Sequence, residues 1–250
     1  MSLQPTLPST TYSNHFLQLP RELRDLIYHL LTTETRPLPE GPDHAGERIY
    51  QSKIYFEARS PRPALLQLKL TNRQIHAEVA DILTKRVSKR VDGGPQQACL
   101  DIMVRGSSIW PTWISLPTTP ELDPVINISL RLFETKGHAS EFSTGAYRGL
   151  WSLFNLLVSQ GPCLTPNRTR RLPESLRIAR LRFNILLCFP ASVDDLFGTY
   201  RDVFDRLEKL AFDNVGLGNV ETIEACMGVD RRVWRLKQLP TGLTLPSRIE

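Results

Sequence analysis

No stretch of the 250-residue chain approaches the ~20 consecutive apolar residues that a bilayer-spanning helix needs, and no basic-then-apolar leader opens it. An intracellular protein, cytoplasmic or nuclear and with no membrane partner, is therefore expected. Cysteine is scarce: Cys99, Cys163, Cys188 and Cys226 stand far apart, none with a second Cys or a His at metal-ligand spacing. They read as buried, reduced thiols. In that setting the sequons Asn127-Ile-Ser129 and Asn167-Arg-Thr169 are chance matches.

Catalytic signatures are missing too. No Gly-x-Ser-x-Gly elbow, His-Glu-x-x-His pair or P-loop occurs. The five histidines, His15, His29, His44, His76 and His138, are isolated, and His76 and Glu78, two apart on an expected helix, face different sides. "VGLGNVE", residues 215–221, has two glycines of a dinucleotide-binding turn between an expected strand and an expected helix. Glu221 falls where a third small residue belongs, and its charge would repel pyrophosphate. No catalytic residue, metal ligand or cofactor follows from the sequence, although distant residues can still assemble a site in space.

Charge of one sign is not concentrated enough to mark a polyanion-binding chain. Residues 1–92 carry thirteen basic against ten acidic residues, residues 93–166 four against five, and residues 167–250 fourteen against eleven. The densest run, "NRTRRLPESLRIARLR", holds Arg168, Arg170, Arg171, Arg177, Arg180 and Arg182 against Glu174. No aromatic residues interleave it, so a solvated charged face is expected and nucleic acid is not.

What is present is periodicity. Residues 1–14 read as a loose tail, and then Leu23, Leu26, Ile27, Leu30 and Leu31 fall at i, i+3, i+4, i+7 and i+8, the stripe of an amphipathic helix begun by Pro20. A Pro-rich insertion at 34–63 encloses "RIYQSKIYFEAR", a candidate strand or hairpin. Thr71-Asn-Arg-Gln74 has capping-box spacing before a helix with Ile75, Val79, Ile82 and Leu83 on one face. Gly93-Gly94-Pro95 marks the expected boundary of this helical module, residues 15–92.

Beyond the boundary the period becomes two. "CLDIMVR", "INISLRL" and "ARLRFNIL" alternate apolar and polar residues, while "YRGLWSLFNLLVSQG" and "SVDDLFGTYRDVFDRL", the latter capped by Ser192, are helical. "LEKLAFDNVG" reads as a fourth strand and "VETIEACMG" as a last helix. Helical connections favour parallel pairing, and one-sided strands exclude a sheet covered on both faces. The fold expected is α+β, with a two-layer α/β region over 95–250 and helices on one face of a mixed or parallel sheet. Its open face would array Asn127, Ser129, Arg131, Arg180, Arg182 and Asn184, a surface that could contact a substrate.

The pairing of "LQLPRELRDLIYHLL" (17–31) with "LLQLKLTNRQIHAEVADIL" (65–83) resembles a large group of fungal F-box-like proteins. Their pattern is Leu-Pro-x-Glu-Ile/Leu-Arg-x-x-Ile-Tyr-x-x-Leu-Leu, then an apolar stretch leading into Cys/Thr-x-Arg-Gln-Ile-x-x-Glu. The resemblance implies a helical module that docks on the Skp1 subunit of a cullin-based ubiquitin ligase, leaving the rest of the chain to hold a protein substrate. Carried over by position, Leu19 and Pro20 form the docking corner, Leu23, Ile27 and Leu31 the apolar contacts, and Leu70 and Ile75 their continuation. The chain departs from the pattern in the long Thr32–Thr71 connection and in lacking a tryptophan after Gln74. Three readings stay open: such an adaptor, an accessory or ligand-binding protein whose helical stripe packs on its own α/β region, or an enzyme whose site assembles from distant residues.

Overall fold

The computed structural model describes residues 15–32, 35–59, 64–89, 97–116, 124–134, 142–162, 177–189, 193–212, 219–238 and 244–249. Their helices are α1 (His15–Gln18), α2 (Arg21–Thr32), α3 (Ala64–Lys69), α4 (Arg73–Lys89), α5 (Thr144–Gln160) and α6 (Val193–Phe212). Their strands are β1 (Arg48–Gln51), β2 (Ile54–Glu57), β3 (Gln97–Arg105), β4 (Ser108–Ser115), β5 (Val125–Phe133), β6 (Ile178–Leu187), β7 (Val220–Met227), β8 (Asp230–Gln238) and β9 (Thr244–Ile249). All nine strands join one sheet in the order β1-β2-β4-β3-β5-β6-β7-β8-β9. The expected boundary at Gly93-Gly94-Pro95, the tail 1–14 and the Ser192 cap lie outside the described residues.

The sheet is mixed. β3, β5, β6 and β7 run parallel, while β4 is antiparallel to β3, β8 to β7 and β9 to β8. The parallel pairs β5–β6 and β6–β7 are each bridged by one helix, α5 and α6, because parallel strands need a long crossover. Period-two alternation sets where those helices go. Ile102 of β3, Leu130 of β5 and Phe183 of β6 share one core with Leu153 and Phe154 of α5 and Phe204 and Leu207 of α6. Phe154 meets Phe183 edge to face at 5.6 Å. Helices thus cover one face of the sheet.

Several local expectations are corrected. "LEKLAFDNVG" begins inside α6, where Leu207, Leu210 and Ala211 continue the buried helical stripe of Val203 and Phe204. "VETIEACMG" is strand β7, held between β6 and β8, although Glu, Ala and Met favour helix. Residues 215–218 of "VGLGNVE" lie outside the described residues, and its last two, Val220 and Glu221, open a strand and not a helix, which removes the setting of a dinucleotide site. β4 and β8 were not expected. Each follows a two-residue turn, Gly106-Ser107 and Gly228-Val229, whose glycines take φ of 61° and 60°.

The insertion at 34–63 is tied into the sheet. Its hairpin turns at Ser52-Lys53, both with positive φ (52° and 70°), as a type I′ turn requires. β2 lies parallel to β4, and Ile54 and Phe56 are buried in the sheet core. At the head of α4 the cap is Asn72, whose Oδ1 accepts from Gln74 N at 2.7 Å. Thr71 instead donates to Leu68 O at the end of α3, so the expected capping box does not form.

Residues 35–47 run as a strap over the helix-free face near β3, β4 and β5. Arg36 N donates to Ile114 O at 2.8 Å, Arg131 Nη2 to Pro39 O at 2.7 Å, and Arg105 pairs with Asp43 at 2.7 Å. Beneath it Asp101 is fully buried, gripped by Arg131 through Nε and Nη2 at 2.7 Å each. Burial lifts the Asp101 carboxyl above its ordinary value, against the opposing pull of Arg131. Arg131 is itself only 6% exposed, so it leaves the expected polar array and serves the interior. Replacing Asp101 with Ala strands a buried guanidinium and should cost about 3–5 kcal/mol in urea unfolding. The double variant Asp101→Leu/Arg131→Met should recover most of that loss.

Candidate functional site

Helices α2, α3 and α4 build a small core of their own from Tyr28, Leu65, Ile75 and Val79, with Leu31, Leu68, Ile82 and Leu83 packed against it. One carboxylate organises it. Glu78 of α4 accepts from Arg24 Nε at 2.9 Å, Arg24 Nη2 at 2.7 Å, the Tyr28 hydroxyl at 2.8 Å and Gln74 Nε2 at 3.0 Å. Arg24 also donates to Leu17 O at 3.2 Å and to Leu19 O, which ties the chain ahead of α2 to the same point. The Arg24 hydrogen bonds pull the Glu78 carboxyl down to about 2 despite burial. Burial and the bond to Glu78 push the Tyr28 hydroxyl up to about 12.

This network sets the rotation of α2. Arg24 and Tyr28, four residues apart, face inward, so Leu23, Leu26 and Leu30 face outward and are 48%, 58% and 61% exposed. Such an apolar row on a surface helix is the uncommon feature, since a helix ordinarily buries its stripe. Of the residues placed by resemblance, Pro20 and Leu23 are exposed, and Leu70 is 85% exposed. Leu19, Ile27 and Leu31 are half-buried, Leu31 against the helical core. Ile75 is buried in that core at 2% exposure and faces no partner. Leu26 and Leu30 belong to the stripe read from the sequence but not to the positions carried over.

A second surface lies on the helix-free face beyond the strap. Register sets Asn127 of β5 beside Arg182 of β6 and Ser129 beside Asn184, with Arg180 beside Val125, so the expected array exists without Arg131. Its centre is a residue sequence reading missed. Glu224 of β7, 3% exposed, receives Arg231 Nε at 2.8 Å, Arg182 Nε at 3.2 Å and Arg180 Nη1 at 3.4 Å. Burial raises its carboxyl, but Arg182 and Arg231 together carry it below the ordinary range. Glu224 escaped notice because β7 reads as helix, while Arg231 is visible in the sequence only as part of the basic run "RRVWRLK". Alongside, a groove of about 480 Å³ is lined by Arg177, Arg180, Glu221, Thr222 and Arg235.

Among the described residues the cysteines are not buried as expected: Cys99 and Cys226 are half-buried and Cys188 is exposed at the end of β6. Partial loss of water contact raises the thiols of Cys188 and Cys226, the opposite of what a nucleophilic cysteine needs. Among the described residues, no group of three His, Cys, Asp or Glu is placed to hold a metal ion. No helix among them is long and apolar enough to cross a membrane.

Because folding lowers the Glu78 carboxyl from 4.5 to about 2, it stabilises the helical module fully above about pH 5, and that contribution is lost as pH falls toward 2. Acid titration followed by circular dichroism should show helix loss in this window, and Glu78→Gln should flatten the dependence while lowering the baseline stability. No family model, curated protein or solved structure matches this chain. The functional reading therefore rests on the two surfaces described above.

Proposed function

We propose that this chain is a non-enzymatic, F-box-like adaptor: the helical module docks on a Skp1-type subunit of a ubiquitin ligase, and the sheet face holds a protein substrate. The observation that carries the reading is the outward row Leu23, Leu26 and Leu30 on α2. Had that row been buried against the sheet, docking would require the module to come apart. Instead α2 is anchored on α4 through Glu78 and on α3 through the small apolar core, and Leu23, Leu26 and Leu30 face solvent. A helix presenting leucines at i, i+3 and i+7 is a ready partner for a hydrophobic groove. Exposed Pro20 and Leu70 extend the same chemistry at the head of α2 and after α3. The Thr32–Thr71 connection is no obstacle to this geometry, because it contributes a hairpin to the sheet while α2 still reaches α4.

The test is co-purification of a Skp1-type subunit with the tagged protein. Leu26→Asp and Leu30→Asp should abolish recovery while shifting stability by no more than about 0.5 kcal/mol, since both side chains are exposed. Ile75→Asp should unfold the module. Recovery that is absent for wild type, or equal for wild type and both aspartate variants, would reject the adaptor reading.

A further inference from the structure

The open sheet face carries more positive charge than its architecture needs. A buried carboxylate must be paired, and one guanidinium suffices, as Arg131 does for Asp101. Glu224 is met by three, from Arg180, Arg182 and Arg231, whose side chains remain 40%, 41% and 59% exposed. Beside them Arg177 pairs with Glu221 at 2.7 Å and Arg235 lines the same groove, so around Glu224 itself three arginines face one glutamate.

The layout limits what could neutralise this excess. Pairing sets Arg180 level with Thr222, Arg182 with Glu224, and Arg231 with Cys226, so the backbone positions of these arginines follow β7 in steps of two residues. That is roughly 7 Å per step along the strand and roughly 10 Å across from β6 to β8. A single phosphate would have to sit on Glu224 itself, where the three guanidiniums converge and the like charge repels it. An extended peptide repeats its same-side residues at that same spacing of roughly 7 Å. Stacking of bases has no support here, because the described residues of β6, β7 and β8 present no aromatic side chain on this face.

We propose that the face over β6, β7 and β8 binds an extended acidic peptide, with acidic residues at alternate positions pairing with Arg180, Arg182 and Arg231 around Glu224. The inference rests on the reading of this face as the substrate-holding surface, and it names the substrate's chemistry. Glu224 spaces the arginines and, as a like charge at the centre of the site, opposes the ligand.

Fluorescence anisotropy with a labelled peptide of alternating Glu and Thr, at about 0.05 M salt, tests it. Wild type should bind this peptide, lose binding as salt rises, and ignore the Gln-for-Glu peptide. Arg182→Gln and Arg231→Gln should each weaken binding about tenfold, the loss of one charge-assisted hydrogen bond. Arg201→Gln, an exposed arginine on α6, should change nothing. Glu224→Gln should tighten binding by about threefold, which a purely structural cluster would not do. If Glu224→Gln fails to fold, the two exposed arginine variants decide. Absence of binding, equal binding of the neutral peptide, arginine variants equal to Arg201→Gln, or tighter binding of polyuridine would each overturn the proposal. Leu26→Asp should bind the peptide like wild type, so failure of this site and failure of the helical docking surface are read separately.

Discussion

Three buried carboxylates, Glu78, Asp101 and Glu224, must each find a cation, because an unpaired buried charge costs several kcal/mol. Their arginines determine most of what the surface presents. Arg24 on Glu78 fixes the rotation of α2 and turns its leucines to solvent. Arg131 on Asp101 pins the strap over β3 and β5 and closes that half of the sheet face. At Glu224 the count changes, and three guanidiniums surround one carboxylate on the half left open. One guanidinium meets Asp101, two meet Glu78, where Arg21 joins Arg24 at 3.4 Å, and three meet Glu224, where the most charge remains to meet a partner.

The two candidate surfaces belong to separate hydrophobic cores. The helical core is built from Tyr28, Leu65, Ile75 and Val79, and the sheet core from the inward residues of the strands with α5 and α6. The chain between α2 and α3 joins them, since it supplies the β1–β2 hairpin beside β4. Separate cores let one module engage one partner while the other keeps its packing. An adaptor that holds two proteins at once needs that independence.

Much of the architecture is legible from the sequence. The alternation of "INISLRL" and "ARLRFNIL" identified two strands and the face that carries Asn127, Arg180 and Arg182, and the stripe of "YRGLWSLFNLLVSQG" identified α5. Failures cluster where local preference and tertiary pairing disagree. β7 is rich in helix-favouring residues, and only its neighbours make it a strand. β4 contains Pro111, which argues against a strand by itself, yet its carbonyl accepts from Arg48 at 2.6 Å and it pairs opposite Ile102. The outward turn of α2 was illegible for a different reason. Burying an arginine and a tyrosine while exposing three leucines makes sense only once Glu78, 54 residues from Arg24, is seen to satisfy them.

The central claim is that the α2 leucine row is a docking surface. Titration calorimetry of the intact protein with a purified Skp1-type subunit, repeated across temperature, addresses it most directly. The account predicts saturable one-to-one binding with a negative heat-capacity change, the mark of apolar surface leaving water. Absence of binding heat at every temperature, or binding with no heat-capacity change, would contradict it.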